Sequence, residues 1–122
     1  MAASSDTLEA QGVTGATPAV GTAIATLAAP AAGWWRVKAQ VSVPSTITAA
    51  EMNNAQLKLG AAVVGGVPVG AGAGPWADWE VQLDGATNVV LQTGTVVGTV
   101  AYAGIIQADP IPARALGTAP TI

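Results

Sequence analysis

The sequence predicts an all-β fold, a single β-sandwich of the jelly-roll kind, and three observations carry that expectation. Fifteen of the 122 residues are Val, and β-branched side chains favour extended backbone. Fifteen Gly and eight Pro interrupt the chain too often for long helices. Two segments alternate apolar and polar residues with the period of two that a strand with one buried face requires. The length suits one domain that buries a core without disulfides, although 27 of its hydrophobic residues are only Ala.

The elements follow in order. Residues 1–19 are small and polar and show no sustained period, so they read as a flexible N-terminal arm that either stays disordered or lies on a partner. The sandwich is expected over 20–109. A weak alternation from Val20 to Leu27 marks a first strand, and Pro30 to Gly33 a turn. Trp34 to Val43 is the clearest strand: Trp35, Val37, Ala39, Val41 and Val43 share one face, while Trp34, Arg36, Lys38, Gln40 and Ser42 share the other. Pro44 ends it. Thr48 and Glu51 then form a capping box that predicts one or two helical turns up to Asn54. Ala55 to Val64 reads as one strand with Leu57, Leu59, Ala61 and Val63 inward, stopped by a turn at Gly65-Gly66. Val67 to Val69 pairs briefly. Trp76 to Asp84 alternates Trp79, Val81 and Leu83 with Asp78, Glu80 and Gln82. Asp84-Gly85 starts a hairpin turn from which Val89 to Thr93 runs back. Thr95 to Ala108 is nearly uncharged on both faces and reads as a central strand or one covered on both sides. Residues 110–122, rich in Pro, form an extended C-terminal tail.

Composition narrows the function. The chain has no His and no Cys, and 9% of its residues are charged, against about 25% in an ordinary soluble domain. Imidazole and thiol chemistry is therefore excluded, and no catalytic residue, cofactor or metal is expected. A net charge of −3 with four basic residues argues against a nucleic-acid partner. No secretory signal is visible, and the long uncharged stretches carry too much Gly, Pro and Thr to read as membrane spans. A surface so poor in charge suits a subunit buried against its own copies or a larger assembly.

Asp78 and Glu80, with Asp84 further along, are the one acidic grouping that paired-carboxylate or calcium chemistry would use. A solvated or salt-bridged strand face explains them more simply. Arg36 and Lys38 form a matching basic pair, and the two rows would complement each other if their strands meet. Trp35 and Trp79 share faces with Val and Leu and read as core. Trp34 and Trp76 share faces with polar residues and read as interface anchors or, second, as sugar-stacking platforms. Trp34, Trp76, Arg36, Lys38, Asp78 and Glu80 are thus the interface candidates. The run Gly70 to Gly74 lacks the Lys-Ser/Thr pair of a phosphate loop and reads as a surface loop.

The segments Gly33 to Val43 (GWWRVKAQVSV), Asn53 to Val64 (NNAQLKLGAAVV) and Tyr102 to Ile106 (YAGII) resemble small β-sandwich proteins of tailed-bacteriophage virions. The likeness is to the capsid decoration proteins of phages infecting actinobacteria. The aromatic-led strand after a Gly and the Tyr-x-Gly also look like jelly rolls of the tumour-necrosis-factor-like class. The resemblance spans about residues 20 to 112. It implies a cementing protein on the capsid exterior, made in the host cytoplasm, with the major capsid protein as partner and a homo-oligomer, a trimer first, as its form. The alternative is a receptor- or glycan-binding head of a tail or fibre protein.

Overall fold

Alternation along residues 33–43 builds the strand on which the structure, a computed structural model, is organised. Described here are residues 7–16, 18–44, 55–72, 74–94 and 100–111. They form β1 (Leu8–Val13), β2 (Ala23–Leu27), β3 (Gly33–Val43), β4 (Ala55–Leu59), β5 (Ala62–Val67), β6 (Val69–Ala71), β7 (Ala77–Leu83), β8 (Val89–Gln92) and β9 (Ala103–Pro110). The first sheet runs β1-β9-β3, and the far edge of β3 is shared by β7, antiparallel along Gly33 to Ala39, and β6, parallel along Val41 to Val43. The second sheet runs β2-β8-β4-β5. The pairs β1 with β9, β2 with β8, β3 with β7 and β4 with β5 nest inside one another. That is one long hairpin rolled onto itself, the jelly-roll form of a β-sandwich.

The core lies between the sheets. Trp35, Val37, Ala39, Val41 and Val43 of β3 are buried, with Ile106 and Ala108 of β9 beside them. Opposite sit Ile24 and Leu27 of β2, Val89 and Leu91 of β8, Leu57 of β4 and Val67 of β5. Each of the larger side chains contributes about 1.5–3 kcal/mol by leaving water. The Trp35 indole N–H donates to the Ala31 carbonyl at 2.9 Å, so its one polar atom is satisfied. Thr93, 1% exposed, is held in the same way. Its hydroxyl donates to the Ala19 carbonyl and accepts from the Thr22 N–H, both at 2.8 Å.

Two glycines set how closely the sheets approach. Gly12 of β1 and Gly104 of β9 are register partners, so they sit side by side and leave a trough in the inner face. Ile24 of β2 fills it. A Cβ on Gly12 would lie 2.0 Å from the Ile24 carbonyl oxygen, and one on Gly104 would lie 2.7 Å from both Ile24 Cγ2 and Leu91 Cδ2. At the opposite edge the Trp79 ring of β7 lies against Gly65 of β5, where a Cβ would meet the indole nitrogen at 2.9 Å. Each margin of the sandwich is closed by a large side chain seated on glycine.

Several sequence expectations are corrected. Leu8 to Val13, placed in the arm 1–19, form β1 and pair along their length with β9. Their inward side chains, Leu, Ala and Gly, are too small for the alternation to register. Ala55 to Val64 is not one strand but the β4–β5 hairpin, turned at Gly60, whose φ of +59 suits the first position of a two-residue hairpin loop. Gly65-Gly66 consequently lies within β5, and Ala61 and Val63, read as inward, are exposed. The Asp84-Gly85 turn joins no hairpin: β7 belongs to one sheet and β8 to the other. Trp79 is half-buried at the margin rather than central. Asp109 and Pro110 still pair with β3, so the sheet outlasts the boundary drawn at 109. The expected helix at Thr48 to Asn54, residues 1–6 and residues 112–122 of the tail lie outside the described residues.

The turn after β7 depends on Asp84. Its carboxylate accepts from the Ala86 and Thr87 N–H groups at 2.8 and 2.9 Å and from the Thr87 hydroxyl at 2.8 Å. The Ala86 N–H, the Thr87 hydroxyl and the Thr87 N–H together hold its pKa below the usual aspartate value.

Two predictions follow from this architecture. Gly12→Ala should lower unfolding free energy by about 1–3 kcal/mol in urea denaturation, whereas Gly15→Ala, which meets open space, should be neutral or stabilising by up to about 1 kcal/mol. Equal effects would mean that the trough is not tight. For Asp84 the depressed folded pKa means that its stabilisation is present above the unfolded value of about 3.9 and lost as pH falls through the folded one. Asp84→Asn should therefore flatten the acid limb of the melting temperature against pH below about pH 4. An unchanged acid limb would contradict the assigned role.

Candidate interaction surface

The outward face of the first sheet collects all six sequence-named candidates. Trp34, Arg36 and Lys38 project from β3 on the side opposite its buried row. Antiparallel pairing with β7 sets Gln82 opposite Trp34, Glu80 opposite Arg36 and Asp78 opposite Lys38. The basic and acidic rows therefore meet within one chain. Arg36 Nη2 lies 3.6 Å from Glu80 Oε2, with the side chains 53% and 40% exposed. At that exposure the pair contributes about 1 kcal/mol at most. Lys38 Nζ stands 5.4 Å from the centre of the Trp76 ring, a cation–π distance.

Trp76 precedes β7 and is 45% exposed. Trp34 is half-buried on the same face, and its carbonyl accepts from the Ile111 N–H at 2.8 Å. The two indoles thus differ in what they offer a partner, and Trp76 presents the larger free area. Trp35 faces inward, as its parity requires.

Residues that sequence reasoning missed complete this surface. On the other flank of β3, Asp109 is opposite Arg36 and Gln107 opposite Lys38, and Glu9 of β1 is opposite Gln107. The Gln107 amide donates to Glu9 at 3.1 Å. The Gln11 amide also donates to Glu9, and the Thr7 hydroxyl donates to Asp109. Two cations therefore run down the middle with two carboxylates on either side. The signal was in the sequence. Ile105, Gln107 and Asp109 continue one period-two row to the end of the expected sandwich.

Past Lys38 the face loses its charges. Gln11, Val13, Gln40, Ser42 and Ile105 line a shallow depression of about 390 Å³ over the glycine trough. The outward face of the second sheet is different again: Thr26, Gln56, Lys58, Val63, Val90 and Gln92 lie there, and Lys58 is its single charge among the described residues. Asp84 sits in its turn, away from Asp78 and Glu80. Among the described residues no three of His, Cys, Asp or Glu gather as metal ligands, and no helix is long and apolar enough to cross a membrane.

No protein-family model matches the chain, and no curated protein does. Among solved structures it is similar to PRD1 vertex protein P5, with a TM-score of 0.53 and 15% identity, over 88% of this chain and 98% of that one. At this identity the likeness is one of fold, and it extends over nearly all of that chain.

Proposed function

We propose that this chain is a virion structural protein that docks on the outer surface of a capsid and cements the shell. The observation that carries the reading is the jelly roll itself, shared over 98% of a protein named for a particle vertex. The composition supports it, because eleven charged side chains among 122 residues suit a surface made to be covered. In this reading the chain performs no catalysis and needs no cofactor. Its partner is the major capsid protein, and its copies act as a homo-oligomer.

The face built on β3 and β7 is the docking surface. Trp76, with some of Trp34, supplies apolar contact area, and the rows of Arg36, Lys38, Asp78 and Glu80 set the register by matching charges on the shell. Exposed aromatic anchors dominate such contacts, and charged rows contribute specificity more than affinity. Binding to the assembled shell and not to its dissociated subunits adds stability by mass action, which is what cementing means physically.

The second reading, a glycan-binding head of a tail or fibre, is favoured by one observation, the exposure of Trp76. Lys38 covers one side of that ring, and a sugar would stack on the other.

Trp76→Ala separates the two. It should leave the melting temperature nearly unchanged and weaken binding to purified shells by about tenfold or more, the scale of a hot-spot residue. The wild-type chain should also raise the temperature at which those shells come apart. Loss of glycan binding with shell binding intact would transfer the site to the second reading. Shells no more heat-resistant with the chain than without it would end the cementing proposal.

A further inference from the structure

A sandwich has edge strands, and an edge strand offers unpaired N–H and C=O groups to any extended chain unless something protects it. Two of the longer edges here are protected by charge. β1 carries Glu9, and β7 carries Asp78 and Glu80. β2 and β5 are both uncharged and both bulged, but β5 is the longer and alone places glycines opposite its valines. Its sequence, Ala62-Val63-Val64-Gly65-Gly66-Val67, holds neither charge nor proline, and among the described residues it pairs only with β4.

We propose that the β5 edge pairs with β5 of a second copy of this chain, antiparallel about a two-fold axis between Val64 and Gly65. Two features select that occupant. The first is size: the two-fold sets Val63 opposite Gly66, Val64 opposite Gly65 and Val67 opposite Ala62 of the partner subunit, so each valine meets a small residue.

The second is parity. Opposed residues in an antiparallel pair must lie on the same side of the sheet. In a regular strand, residues three apart such as Val63 and Gly66 point to opposite sides. Here the register jumps from Gly65 opposite Leu57 to Val63 opposite Lys58, which makes Val64 an extra, bulged residue. Val64 packs against the core, Gly65 lies under Trp79, and Val63 and Gly66 are both exposed. The bulge thus gives the strand the face-to-face match that a two-fold pair needs. Val63, one of four large apolar side chains left exposed among the described residues, is then covered. The contact extends the second sheet across the axis and leaves the charged face of the first sheet free. It names a surface that shell docking does not use, so either idea can fail alone.

The native chain has no cysteine, which makes cross-linking clean. The Val63→Cys/Gly66→Cys double variant should oxidise to a covalent dimer through two 63-to-66 bridges between copies. The same two positions within one strand are about 10 Å apart, too far for a disulfide. Neither single variant should cross-link. Val63→Glu, whose new carboxylate can pair with Lys58 across the hairpin, should keep the wild-type circular dichroism spectrum and weaken self-association in sedimentation by about tenfold or more. A wild-type chain that sediments as a monomer at micromolar concentration, or a double variant that forms no cross-link, overturns the proposal. If Val63→Glu fails to fold, the cross-link decides. Val63→Glu that stays unpaired yet still binds shells would leave the docking proposal standing.

Discussion

The architecture depends on one contact, the insertion of Ile24 into the trough left by Gly12 and Gly104. A sandwich gains its stability from the apolar area that its two sheets remove from water, and that area exists only if the sheets meet. Much of this core is small: Ala25, Ala39, Ala55 and Ala108 are all buried. Sheets lined with alanine must approach closely to exclude water, and only positions without a Cβ allow the backbone of one sheet to sit against the other. The same arrangement recurs at the far margin, where Gly65 receives Trp79. The buried alanines and the glycines at the two margins are therefore matched requirements of close sheet packing.

Closing both margins divides the exterior into two unlike faces. One carries rows of cations and carboxylates with indoles beside them, and Arg36 and Lys38 each have a carboxylate in register on β7. The other is nearly uncharged and ends in an edge strand, β5, that holds neither charge nor proline. A single sandwich thus presents one surface suited to matching a patterned partner and one margin suited to its own copies. Under the proposed function, that division would serve a repeating shell component, which must grip a lattice and also be spaced upon it.

The strands with strong alternation were legible from sequence, and the weak ones were not. In β3 the inward residues Trp35, Val37, Val41 and Val43 are large enough to give its period and parity outright. In β1 the same geometry is carried by Leu8, Ala10 and Gly12, and composition masked it. Composition points to a turn at Gly65-Gly66, and the chain turns at Gly60 instead. The turn belongs to Gly60, because Trp79, distant in sequence, needs the flat surface of Gly65. No local pattern encodes that choice. The six interface candidates were read correctly as outward residues, since parity is a local property. Their convergence on one face required the β3–β7 pairing. Glu9, Gln107 and Asp109 were missed because they lie on strands whose extent was misjudged.

The account's central claim is that this jelly roll is a shell component whose charged, indole-bearing face meets the capsid. Cryo-electron microscopy of the particle that carries the chain tests it most directly. The account predicts sandwich-shaped density on the outer surface of the shell, with the β3–β7 face turned inward and Trp76 covered by capsid protein. Density confined to a tail or fibre tip, or a shell that carries the sandwich with that face open to solvent, would contradict it.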